Sequence, residues 1–125
     1  MKIISIALAF ALLVGTAAFA EVRVIVQGDT VSIDPSEFPP QMRAGYDLMM
    51  EKCNKCHTIE RIVAAVQTGI CPLSKTSFSK TSTRSVVTRM YLKPESNMTK
   101  SDARTIVLFL NYLLDQKVTV VEKRD

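Results

Sequence analysis

The amino-acid sequence predicts an all-α fold with a small N-terminal β-hairpin appendage, and two observations carry that reading. From Gln41 to Gln116, successive stretches place apolar residues at helical spacing and are bounded by start and stop signals such as Thr99 and Gly69. Ahead of them, Val22, Val24 and Val26 alternate with Arg23, Ile25 and Gln27, Gly28 and Asp29 supply a turn, and Val31 and Ile33 alternate with Ser32 and Asp34.

The first twenty positions read as an export signal. Lys2 gives a short positive start, Ile3 to Val14 is an uncharged apolar run, and Ala18, Phe19 and Ala20 form a small-x-small cleavage site. The run is too short and too lightly flanked for a membrane span, so cleavage before Glu21 is expected and an uncleaved anchor is the alternative. Either way the folded part lies outside the cytoplasm. The remainder divides into a hairpin and linker at 21–39, a helical domain at 40–117 and a tail at 118–125, enough for one small domain with a modest core. Val118, Val120 and Val121 of the tail are candidates to pair with the hairpin. The formal net charge of +4 in 125 residues makes no case for nucleic acid or membrane binding.

Each helix has its own grounds. Pro35, Pro39 and Pro40 separate the hairpin from the helical domain. The first helix begins near Gln41, with Met42, Tyr46, Met49 and Met50 as its apolar positions. Gly45 inside it costs roughly 1 kcal/mol relative to Ala, which points to close approach by another helix. Thr58 to Gln67 forms a second helix with Ile59, Val63 and Val66 on one face, ended by Gly69. Residues 71–83 are rich in Ser, Thr and Lys and read as loop. Thr81, Ser82 or Thr83 then caps a short helix carrying Val86, Val87 and Met90, which Pro94 ends. The last helix starts at Thr99, with Asp102 three residues on and Met98 placed as a hydrophobic staple; Ile106, Phe109, Leu110, Leu113 and Leu114 form its apolar stripe.

The chemistry concentrates at Cys53, Asn54, Lys55, Cys56 and His57. The spacing C-x-x-C-H is a c-type haem attachment signature: two thiols two residues apart each add to a vinyl group of one haem, and the adjacent histidine offers a ring nitrogen to the iron. Two other readings compete. Zinc would draw on Cys53, Cys56, His57 and Cys71, but adjacent Cys56 and His57 strain one tetrahedron. A thioredoxin-like pair belongs where a strand turns into a helix, whereas the residues before Cys53 read as helix. With haem on Cys53 and Cys56, Cys71 has no partner within the chain; its apolar neighbours favour a buried thiol over a disulfide between molecules.

His57 is the single histidine, so the chain offers no second imidazole. The far side of the iron then falls to a methionine, whose thioether raises the reduction potential. Met42, Met49 and Met50 precede the motif on its own helix and lie badly for that role. Met98 is accounted for by the staple, while Met90 lies close to the break at Pro94; the reading favours Met90 over Met98 as distal ligand and keeps an open sixth position as a third option.

On these residues the chain resembles the class I c-type cytochromes, over roughly Pro40 to Lys117. That family carries a Gly eight residues before the first motif Cys, matched by Gly45, which packs there on an aromatic of the last helix, here Phe109 or Tyr112. The family's spacing from axial Met to that aromatic again selects Met90. The chain is similar in particular to bacterial periplasmic monohaem cytochromes c with an Arg four residues after the motif His, here Arg61, and an Arg-Met pair, here Arg89 and Met90. It departs from them in lacking Trp before that pair and in its hairpin. The resemblance implies cytochrome c-like helices around one covalently bound haem c per chain, a periplasmic location, and a monomeric electron carrier rather than an enzyme. It implies redox partner proteins in the periplasm and no nucleic acid. Arg61 is the candidate contact to a haem propionate, and Lys52, Lys55, Lys75, Lys80 and Lys93 are candidates to steer an acidic partner. A haem-based sensor of small ligands and a cytochrome subunit docked into a larger respiratory complex are the alternatives.

Overall fold

The computed structural model describes residues 21–124. The export signal expected over residues 1–20 lies outside the described residues. In chain order the elements are β1 (Glu21–Gln27), β2 (Thr30–Ile33), α1 (Pro40–Cys53), α2 (Ile59–Thr68), α3 (Thr83–Tyr91), a 3-10 turn (Pro94–Ser96), α4 (Lys100–Asp115) and β3 (Lys117–Glu122).

The all-α expectation is corrected by a three-stranded mixed sheet in the order β2-β1-β3. β1 pairs antiparallel with β2 and parallel with β3, which sets Val24 against Ile33 on one side and against Val120 on the other. The hairpin is therefore no appendage to a helical body. Val22, Val24 and Ile33 are buried and belong to the same core as the helices. On that inner face, Val118 from β3 and Val63, Val66 and Leu113 from α2 and α4 surround the strand valines. Gly28 turns the hairpin with a φ of 56°, a conformation that glycine adopts at no steric cost.

Helices α1 and α4 cross at Gly45. A Cβ built there would stand 2.7 Å from Cβ of Phe109, so the missing side chain is what lets the two backbones approach. Phe109 is fully buried. Phe38, from the proline-rich linker, sets its ring edge-on to Tyr46, Phe109 and Tyr112 at centroid distances of 5.9, 5.5 and 5.7 Å, a favoured aromatic geometry. The start of α4 is fixed by a capping box: Asp102 N–H donates to Thr99 Oγ1 at 3.1 Å, and Thr99 N–H donates to Asp102 Oδ2 at 2.7 Å.

Gly69 ends α2 in the left-handed region at φ 69°, its N–H donating to the Ala65 carbonyl at 2.9 Å. Between α2 and α3 the segment bends back on itself, with Cys71 N–H donating to the Thr76 carbonyl and Phe78 N–H to Gly69. Thr83 at the start of α3 is buried and does not cap; its hydroxyl donates to Asn111 Oδ1 on α4 at 2.7 Å. These contacts seat α3 on α4 and leave a space beside α1.

Candidate functional site

That space is a cavity of about 520 Å³, within the usual range of small-molecule sites. The sequence-derived candidates gather on it from distant parts of the chain. Cys53, the last residue of α1, and His57, in the turn before α2, reach it from one side; Met90 from α3 and Met98 from the segment before α4 also line it. Arg61 of α2, Arg89 of α3, Lys93 and Ser74 add polar groups to the lining. Position does not separate Met90 from Met98: both are half-buried and line the cavity, as does the fully buried Met49 of α1. Cys56 is different. It is exposed and is not part of the cavity wall.

The local fold explains the placement of the motif. Helix α1 ends at Cys53, the chain continues as a turn in which Cys56 N–H donates to the Cys53 carbonyl at 3.4 Å, and α2 begins only at Ile59. Cys53 lines the cavity, whereas Cys56, after the turn begins, is exposed. Burial pushes the Cys53 thiol up to about 11, with Cys56 adding to the rise. His57 Nδ1 lies 3.4 Å from the Thr58 carbonyl. With Nδ1 protonated toward that oxygen, Nε2 keeps its lone pair for a metal. Among the described residues, no group of three or more His, Cys, Asp or Glu side chains is arranged to hold a metal ion, so Cys53, Cys56, His57 and Cys71 do not form a tetrahedral zinc set.

Several wall residues are not evident from the sequence. Ile106 and Leu110, one turn apart on α4, face the cavity, although they belong to a stripe whose periodicity reads as wholly structural. Cys71 is half-buried, and it too lines the cavity; its flanking apolar residues are the available signal. Leu73 and Leu92 stand at the cavity while remaining 73% and 70% exposed, an apolar rim that periodicity alone does not reveal.

The steering lysines divide. Lys80 is held by Asp115 at 2.7 Å, and Lys52 pairs with Glu51 at 3.0 Å with only 11% of its side chain exposed. Lys93 is the one of the five on the cavity wall. Arg61 and Arg89 are exposed and have no acidic partner among the described residues. Among the described residues no helix is long and apolar enough to cross a membrane. Comparison of the chain with family models, with curated proteins and with solved structures returns no match.

Proposed function

We propose that this protein is a monohaem c-type cytochrome, an electron carrier of the periplasm that holds one covalent haem and passes single electrons between redox partner proteins. The observation that carries the reading is the convergence of Cys53, His57, Met90 and Met98 on one largely apolar cavity. A thiol, an imidazole and thioethers are the donor types that c-type haem ligation uses. The wall residues between them, among them Ile62, Val86 and Ile106, suit a flat aromatic macrocycle. Cys56, outside the wall, has to turn toward the cavity by rotation of the exposed segment after α1 when its thioether forms.

When bound, haem supplies an iron that gains and loses one electron. The chain's residues do the rest. Cys53 and Cys56 would hold the haem covalently as thioethers, each thiol adding across a vinyl group with its proton retained on the neighbouring carbon. His57 would offer Nε2 and Met90 its thioether sulfur as ligands to the iron, and a thioether ligand raises the potential. Arg61 offers a planar pair of donors to a carboxylate, as the guanidinium fork does elsewhere. Ile106, Leu110, Val86 and Val87 exclude water, which lowers the local dielectric and holds the potential against solvent fluctuation.

A redox titration of the protein matured with its haem tests the reading. A single reversible one-electron transition that moves to lower potential in Met90→Leu/Met98→Leu is the expected result. An absent transition, or one insensitive to every methionine on the cavity, rejects it.

A further inference from the structure

Three thioethers line the cavity, those of Met49, Met90 and Met98, and the segment joining the last two is fixed by a buried hydroxyl. Ser96 is 7% exposed and is, with Thr83, one of the two buried polar side chains among the described residues. Its Oγ donates to the Tyr91 carbonyl at the end of α3 at 3.2 Å and accepts from Met98 N–H at 3.4 Å. One side chain thus ties the end of the helix that bears Met90 to the backbone of Met98. Between them Asn97 adopts a φ of 48°, a left-handed conformation that asparagine tolerates better than most residues. That turn brings the chain back to the cavity before α4 begins.

The staple contact that would otherwise explain Met98 is weak. A staple pairs the residue before the N-cap with the fourth residue of the helix; with Thr99 as N-cap and Lys100 first in α4, that partner is Ala103. A single methyl offers little surface to a methionine. Met98 packs against the core and also lines the cavity.

We propose that Met98 is a reserve sulfur donor for the iron position assigned to Met90, held at the cavity by the Ser96 clamp. The inference rests on the haem reading above and goes beyond it by giving the distal side two alternative ligands. Loss of the first thioether is then answered within the same cavity by the second, and the iron stays sulfur-ligated rather than opening to an external ligand.

The test uses exported, haem-loaded protein and reads the weak far-red charge-transfer band of ferric iron bound to thioether sulfur, with circular dichroism to show that each variant is folded. Met90→Leu, which conserves volume, retains a band at shifted wavelength. Adding Met98→Leu removes it, and adding Ser96→Ala to Met90→Leu removes it as well. A band absent from Met90→Leu overturns the proposal, as does one that survives in Met90→Leu/Met98→Leu. A band that survives in Met90→Leu/Ser96→Ala overturns the part given to Ser96. Wild-type protein whose intact mass shows no haem overturns the haem reading and this inference together, so the two failures are told apart.

Discussion

Gly45→Ala adds a methyl at the tightest point between α1 and α4, and the structure sets the size of the response. The new Cβ would meet Cβ of Phe109 at 2.7 Å, against about 3.5–4.0 Å for an unstrained carbon pair. The atom it meets is the root of a fully buried ring, so no rotamer change relieves the clash and the helices themselves must separate by roughly 1 Å. Overpacking of this kind costs about 1–3 kcal/mol, and a displacement that moves backbone belongs toward the upper end. Alanine returns about 1 kcal/mol of helix propensity. The net destabilisation is about 1–2 kcal/mol, which lowers Tm by roughly 5–15 °C in a domain of this length. Thermal unfolding followed by circular dichroism measures it. A Tm equal to or above that of the wild type would refute the claim that the bare Cα of Gly45 sets the α1–α4 approach.

Three other perturbations have defined outcomes. Thr99→Ala removes the side-chain half of the α4 capping box and costs about 1 kcal/mol, read as a lower urea midpoint with unchanged slope. Asp34 and Asp102 are held below the usual carboxylate range, chiefly by the Ser36 N–H and the Thr99 N–H respectively. Their contribution to stability is therefore complete above the ordinary pKa of about 4 and is lost as pH falls through the depressed folded values. Asp102→Asn flattens that acid limb in a series of urea midpoints, and an acid limb as steep as the wild type's rejects the assignment. With haem as the proposed filling of the cavity, Cys53→Ser/Cys56→Ser is expected to lose the near-ultraviolet dichroism and the cooperative thermal transition; a sharp transition at the wild-type Tm contradicts this.

The helices are legible in the sequence because their signals are local. Gly69 as the stop of α2, Pro94 as the break after α3, and Thr99 with Asp102 at the start of α4 each act within a few residues. The sheet is only half legible. The β1–β2 hairpin has a local turn at Gly28, but β3 pairs with β1 across almost the whole chain, Glu21 against Lys117, and no short-range pattern specifies a parallel partner at that separation. The alternating tail, Val118, Val120 and Val121, is legible as a partner for the hairpin, and it does pair with β1, but neither the hairpin strand nor the parallel direction is specified by the sequence. The burial of Val22 and Val24 depends on β3 and on α2 and α4, so the sheet's share of the core is out of reach too.

The site divides in the same way. Cys53 and His57 carry a spacing that is chemistry in itself, and both reach the cavity. Cys56 carries the same spacing yet faces solvent, because the turn after α1, not the motif, decides direction. Met90 and Met98 are identifiable by elimination, but their meeting at one cavity depends on how α3 folds onto α4, a contact made through Thr83 and Asn111. Lys80 reads as a free steering charge, and its pairing with Asp115 is a tertiary contact that charge spacing does not encode.

Whether the cavity holds a covalent haem is decided by intact-mass spectrometry of the exported, matured protein, taken with its oxidised and reduced absorption spectra. The expected result is a chain beginning at Glu21 that weighs one haem more than its amino acids and shows the sharp reduced bands of a thioether-linked haem. A colourless protein with the mass of the bare polypeptide would contradict it.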